Sequence, residues 1–289
     1  MKLSEIKILF QTELSALYSK SEIEELFSIF CEHFLELNKV EVRINLEKEL
    51  SESDSNQFLE VISELKTGKP FQQILGETEF YGIKFFVNEH ILIPRPETEE
   101  LLELAINKIQ EKSKKGQDLK ILDIGTGSGI IPIVLKKNFP EAEVSSIDIS
   151  EDALEIAKRN AELHKVEINF MNKDYLNEVF GSAQTDNDVF DVIISNPPYI
   201  GMAENPEIED SVKGFEPNLA LFSPTSDALI FYRKIAEDSL NHLSANGMVF
   251  LEINQKLGQE TLELFENDFS EAELLKDISG NDRMIFVRK

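Results

Sequence analysis

Cysteine is nearly absent from this chain, and positive charge is scarce. A single cysteine, Cys31, stands among 289 residues. One thiol closes no intramolecular disulfide and builds no cysteine cage for a metal. Such poverty in thiols fits a reducing compartment. No run of 18 apolar residues occurs, which excludes a membrane-spanning helix. The opening MKLSEIKILFQTELSALYSK mixes charges into its apolar residues and lacks a signal-peptide core. A cytoplasmic protein without membrane contact is therefore expected. The four histidines, His33, His90, His164 and His242, are scattered without ligand spacing, so no metal is expected. No serine-histidine-acid or cysteine-histidine arrangement stands out.

Basic residues are outnumbered. Lys and Arg total 29 against 54 Asp and Glu, for a net charge of −25. A surface of that sign repels phosphate backbones, so no direct nucleic-acid partner is expected. Residues 1–70 carry 8 basic and 14 acidic residues, nearly the charge density of the remainder. The acidity is thus global and not a tail. Solubility or a host-wide acidic bias accounts for it, as does attraction to a basic protein partner.

What is present is ordinary for a globular protein, with 42% hydrophobic and 29% charged residues. At roughly 150 residues per domain the length suggests two domains. The chain is long enough to fold without disulfide or metal staples.

Residues 1–69 read as a small helical bundle. Ile6, Leu9, Phe10, Leu14 and Leu17 recur at helical spacing, as do Phe58, Val61, Ile62 and Leu65. Ser21 and Glu24 fit a capping box ahead of Ile23, Leu26, Phe27, Phe30, Phe34 and Leu37. The Phe-rich stripes read as core. Residues 70–93 read as a linking hairpin of short strands, turning near Tyr81–Gly82. Pro96 suits the first position of a helix that opens the third region, 94–289.

From about residue 117 strands alternate with helices. Strand-like runs fall at 120–124, 143–149, 168–171, 190–195 and 247–253, with helix-like runs near 128–138, 150–163, 227–243 and 255–267. That alternation predicts a parallel sheet covered on both faces. Two closing runs, 272–279 and 283–289, can form an antiparallel hairpin at a sheet edge.

Four stretches carry chemistry. The first is Asp123-Ile124-Gly125-Thr126-Gly127-Ser128-Gly129, where the first strand of the sheet meets its helix. Ligands of open parallel sheets bind at that carboxyl edge. The dinucleotide fingerprint is G-x-G-x-x-G, and here Gly129 comes one position early while Ile130 occupies the required place. The pattern favours a nucleoside without a pyrophosphate, such as S-adenosylmethionine, with Asp123 receiving an ammonium directly or through water. The second is Asp148, 19 residues after Gly129 at the end of the next strand, where a carboxylate can accept from ribose hydroxyls. The third is Asp174-Tyr175, an acceptor for an adenine amino group beside a ring that can cover the base.

The fourth is Asn196-Pro197-Pro198-Tyr199, directly after a strand. Two prolines stop the strand and remove two backbone donors. The Asn196 side-chain oxygen and the Pro197 carbonyl can both accept from a planar NH₂ group, and Tyr199 can stack on it. This suits methylation of an amide or aromatic amine, with catalysis chiefly by positioning.

DIGTGSG with NPPY resembles the seven-strand S-adenosylmethionine-dependent methyltransferases (Rossmann-like α/β domains) that act on planar nitrogen. FQQILGETEF (71–80), ILIPRPETE (91–99), Gly214-Phe215-Glu216-Pro217 and Gly280-Asn281-Asp282-Arg283 extend the likeness. They resemble the bacterial protein-(glutamine) methyltransferases that modify peptide-chain release factors. The resemblance implies S-adenosylmethionine as cofactor and the Gly-Gly-Gln glutamine of class 1 release factors as substrate. It implies that Gly125, Thr126, Gly127, Ser128, Gly129, Asp148 and Tyr175 line the cofactor, and that Asn196 to Tyr199 hold the glutamine amide. By the same analogy residues 1–69 orient the protein substrate, and a monomer is expected. A related enzyme for a ribosomal-protein glutamine typically reads Pro-Arg-Ser-Pro where this chain has Pro94-Arg95-Pro96-Glu97. NPPY alone leaves an adenine methyltransferase acting on DNA or RNA open, against the charge of −25.

Overall fold

The computed structural model describes residues 1–112, 119–177, 189–201 and 214–289. The chain divides into two compact units. The first takes in residues 1–76 with Gly214 and Phe215, and the second the described residues of 77–201 and 216–289. Among the described residues no helix is long and apolar enough to cross a membrane.

The first unit is helical, with α1 (Leu3–Leu14), α2 (Lys20–Leu35), α3 (Lys39–Ile44), α4 (Glu52–Leu65) and α5 (Phe71–Leu75). Phe10, Phe30 and Phe58 are wholly buried, and Phe10 meets Phe27 and Phe58 edge-on at 5.4 and 6.2 Å. Edge-to-face rings are the favoured aromatic geometry. Burying each such ring contributes roughly 2–3 kcal/mol over leaving it exposed. Leu17 departs from the expected stripe, because α1 ends at Leu14 and leaves Leu17 58% exposed. The capping box of α2 is also not the expected one. Ser19 and Glu22 form it, with the Ser19 N–H donating to Glu22 Oε2 at 2.7 Å. Starting at Lys20 adds residues to the hydrogen-bonded ladder, each contributing one bond once the helix is nucleated.

The stretch 71–93 departs further. Residues 71–75 are helical, because the Pro70 carbonyl accepts from the amides of Gln73 and Ile74 and Gly76 ends the turn at φ +72°. The second unit then opens on an antiparallel hairpin, β1 (Glu77–Phe80) and β2 (Ile83–Phe86). Its turn lies at Tyr81–Gly82, with φ of +52° and +70°. Positive φ at both central residues matches the twist of the flanking strands. Residues 87–93 form no strand; they are a loop that buries Val87, Ile91 and Ile93.

The sheet that follows contains β3 (Lys120–Ile124), β4 (Glu143–Asp148), β5 (Asn169–Asn172), β6 (Phe190–Ser195), β7 (Leu243–Glu252), β8 (Glu271–Lys276) and β9 (Asp282–Arg288). The seven strands run in the order β5-β4-β3-β6-β7-β9-β8, and β9 is antiparallel to both its neighbours. Its helices are α6 (Pro96–Lys112), α7 (Ile130–Asn138), α8 (Glu151–His164), α9 (Asn218–Leu221), α10 (Ile230–His242) and α11 (Gly258–Leu262). Alternate residues of each strand serve opposite cores. Ile121, Val192, Ile194 and Phe250 pack with α6 and α7, while Leu122, Ile193, Val249 and Leu251 pack with Tyr232 and Ile235 of α10. The expected helix over 255–267 is shorter, a 3₁₀ turn at Gln255–Leu257 and then α11.

Chain order reverses between β3 and β6: from β3 the chain steps outward to β4 and β5, then returns to β6 on the other side. The carboxyl ends of β3 and β6 therefore part there, and that is where such sheets bind ligands.

Candidate active site

A cavity of about 220 Å³ opens at that edge. Its floor is the glycine loop after β3. The amides of Gly125 and Thr126 donate to the Ile147 carbonyl at 2.8 and 3.1 Å, and the Gly127 amide donates to Asp148 Oδ2 at 2.8 Å. Gly125 has φ +78°, which favours glycine. A Cβ there would lie 3.9 Å from the Asn196 carbonyl oxygen, so the glycine loop and the Asn-Pro-Pro-Tyr turn adjoin. Gly125, Thr126, Gly127 and Ser128 line the cavity. Gly129 instead faces α8, where a Cβ would come within 3.0 Å of the Ala157 Cβ.

Asn160 of α8 fixes this loop from behind. Its amide nitrogen donates to the carbonyls of Ser128 and Phe86 at 2.8 and 3.0 Å, and its oxygen accepts from the Phe86 amide at 2.7 Å. One buried side chain thereby joins the hairpin to the glycine loop.

Asp148 lines the cavity, and its other oxygen accepts from the Ser150 amide at 2.9 Å. Burial pushes its carboxyl up, against the pull of those amides. Ser150 caps α8 by accepting from the Ala153 amide, so Asp148 is left to the loop and the cavity. Asp123 sits differently. It is fully buried behind the loop and is not part of the cavity wall. Ser146 donates to its Oδ2 at 2.6 Å, while Oδ1 has no hydrogen-bond partner of acceptable geometry. Burial pushes this carboxyl up to about 7, with the Ser146 and Thr126 hydroxyls pulling the other way.

Asp174 and Tyr175 both line the cavity. Asp174 turns its loop by accepting from the Leu176 amide at 3.1 Å and the Asn177 side chain at 2.7 Å. Tyr175 packs into the core beneath, and burial pushes its hydroxyl up.

The opposite wall is the turn after β6. The Ser195 hydroxyl donates to the Ile124 carbonyl at 2.6 Å, which holds the ends of β6 and β3 together. Asn196 and Pro198 line the cavity, and Pro197 is buried beside them. The Asn196 amide nitrogen donates to Thr98 Oγ1 at 3.1 Å. Tyr199 is not among the lining residues; its hydroxyl donates to Glu252 Oε1 at 3.2 Å. Glu252 also accepts from the Thr98 hydroxyl at 2.6 Å. Burial pushes the Glu252 carboxyl up to about 7, opposed by the Thr98 hydrogen bond and the Arg283 charge.

Arg95 completes the rim. Its guanidinium donates to Glu216 Oε1 at 2.6 Å, and Glu216 Oε2 accepts from the Ile93 amide at 3.1 Å. Thr98, Glu252, Glu216 and Asn160 were not singled out for the site from the sequence. Only Glu252 carried a signal there, as a lone acid in an otherwise apolar strand, which has to find partners when buried. Among the described residues no group of three or more His, Cys, Asp or Glu can hold a metal ion.

A glycine loop after the first parallel strand, carboxylates at the ends of the next two, and Asn-Pro-Pro-Tyr after the fourth define a seven-strand methyltransferase. A methyltransferase from Pyrococcus furiosus shares this fold at 18% identity, with a TM-score of 0.50 over 81% of this chain and 98% of that one. Residues 102–211 match the Methyltransferase small domain and residues 9–76 match the PrmC N-terminal domain. The release factor glutamine methyltransferase of Flavobacterium psychrophilum is 47% identical over 281 residues, 96% of each chain. Its counterpart from Bacteroides thetaiotaomicron is 36% identical over 99% of this chain and 100% of that one. The chain belongs to the release factor glutamine methyltransferase family.

Proposed function

We propose that this chain transfers the methyl group of S-adenosylmethionine to the side-chain amide nitrogen of the Gly-Gly-Gln glutamine in class 1 peptide-chain release factors. The observation that carries the reading is the adjacency of two loops in one cavity, the glycine loop at Gly125 and the turn at Asn196, close enough that a Cβ on Gly125 would lie 3.9 Å from the Asn196 carbonyl oxygen. The lining suits that cofactor. Asp148 and Asp174 on the wall are acceptors for hydroxyl and amino hydrogens. Gly125 to Ser128 present backbone to the ligand, and Tyr175 offers an aromatic face.

When bound, the sulfonium supplies an electrophilic methyl group. The chain's own residues do the rest. An amide nitrogen keeps its lone pair delocalised, so reaction depends on holding it in line with the methyl carbon. Asn196 Oδ1 and the Pro197 carbonyl are the acceptors assigned to its two N–H bonds. As the N–C bond forms, positive charge grows on nitrogen and those acceptors stabilise it. Transfer would leave the S–C bonding pair on sulfur, and the nitrogen would give up one proton to solvent.

The helical first unit orients the protein substrate, and the enzyme works as a cytoplasmic monomer without nucleic acid or membrane. The test is transfer of label from S-adenosylmethionine to purified release factor. Replacing the Gly-Gly-Gln glutamine is expected to abolish labelling, and persistent labelling of that variant sinks the assignment.

A further inference from the structure

The proton inventory around Asn196 decides which way its side chain faces. Glu252 ends β7 and is 1% exposed, and Thr98 in the first turn of α6 is 2% exposed. Once ionised, above about pH 7, the Glu252 carboxylate only accepts, and a hydroxyl has one proton to give. At 2.6 Å from Glu252 Oε2, the Thr98 proton is committed to the carboxylate. What Thr98 has left for Asn196 is lone pairs. Asn196 must therefore present its NH₂ to Thr98, as it does at 3.1 Å, and turn Oδ1 away. With the amide reversed, Oδ1 would face the Thr98 oxygen with no hydrogen between them. It would also place an NH₂ where the substrate's own NH₂ has to be accepted. The second carboxylate oxygen accepts from the Tyr199 hydroxyl at 3.2 Å, so one acid steadies both ends of the Asn-Pro-Pro-Tyr turn.

We infer that Thr98 and Glu252 are positioning residues that lock the Asn196 amide with its oxygen toward the substrate nitrogen. The inference rests on Asn196 holding the glutamine amide, and it adds the device that gives Asn196 its polarity. Thr98 stands on the cavity wall beside Asn196, and Glu252 lies behind it. They act by removing one of the two orientations that an asparagine otherwise samples.

The test compares Thr98→Val, which keeps shape and loses the hydroxyl, with Thr98→Ser, which keeps the hydroxyl. Thr98→Val is expected to lower kcat for methylation of release factor by about 10- to 100-fold, the range of one lost positioning hydrogen bond. The KM for release factor and the Kd for S-adenosylmethionine are expected to stay within about threefold, and Thr98→Ser to recover most of kcat. A kcat for Thr98→Val within about threefold of wild type overturns the inference, as does a loss matched by an equal rise in cofactor Kd. Should Thr98→Val fail to fold, the pair Glu252→Gln and Glu252→Leu decides. Gln retains an acceptor for Thr98 and is expected to keep the larger share of kcat. Leu frees the Thr98 proton for Asn196 Oδ1 and is expected to lose it, and equal kcat for the two overturns the inference. Wild-type protein that leaves release factor unlabelled rejects the functional assignment itself, which separates that failure from this one.

Discussion

Asp123 is a carboxylate placed where charge is expensive. It is wholly buried, Oδ1 is unpartnered, and its carboxyl titrates near 7 instead of the ordinary 3.8. A raised folded value means that the fold prefers the protonated acid. That preference stabilises fully below about pH 4 and is lost as pH rises through 7. Asp123→Asn removes the loss, because an amide keeps an oxygen for Ser146 and carries no charge. The variant is expected to gain over wild type between pH 5 and pH 8, by at most roughly 2.5–3 kcal/mol. Thermal unfolding at the two pH values reads this, and an equal difference in Tm at both counts against it. Residues such as Asp148 and Asn196 are legible because each lies at the carboxyl end of a strand, on the binding edge of the sheet. Thr98 was not, since its role lies in partners 98 and 154 residues away along the chain. Glu216 meets Arg95 across 121 residues, and nothing local marks that pairing.

Helix α7 starts where it does because the chain can turn left-handed at Gly129, with φ +80°, and still lie against α8. A Cβ at that position would come 3.0 Å from the Ala157 Cβ and 3.1 Å from its Cα, so the backbone of α8 would have to move. Gly129→Ala combines that overlap with left-handed strain of about 1–2 kcal/mol. Overpacking of this kind adds about 1–3 kcal/mol, for a total near 2–5 kcal/mol. Ala157→Gly in the same chain is expected to recover the Cβ contact but not the strain. Chemical denaturation of the two single variants and the double variant measures the split, and a coupling of zero contradicts the contact. Strands β3, β4 and β6 were readable in advance because each is a short apolar run bounded by turn residues. The elements missed were short ones: α3 and α5 span six and five residues, too few to show a period. Ser19 and Ser21 both precede a glutamate by three residues, so the pattern alone does not rank the two as the cap of α2.

Across the whole molecule the charge of −25 sets a long-range field that individual pairs do not cancel. Several lysines are already matched locally, as in Lys2–Glu47, Lys39–Glu25 and Lys66–Glu13, all exposed. Pairs of that kind contribute little to stability and leave the acidic excess unaddressed. Two consequences are possible for a protein substrate with a basic face. If acids are gathered where it lands, they steer it, and steering fades as the Debye length shrinks from about 10 Å at 0.1 M salt to about 3 Å at 1 M. If acids are spread evenly, the field lacks direction, and screening changes encounter only slightly. The near-equal charge density of residues 1–70 and of the rest points to the second case. The expected outcome is that kcat/KM for release factor falls less than about threefold between 50 and 300 mM KCl, well short of the dependence of steered association. A fall of ten-fold or more, carried by KM with kcat steady, assigns the acidity to recruitment of the substrate. Charge reversal of exposed acids in the first unit, compared with an equal number in the second, then locates the face that does it.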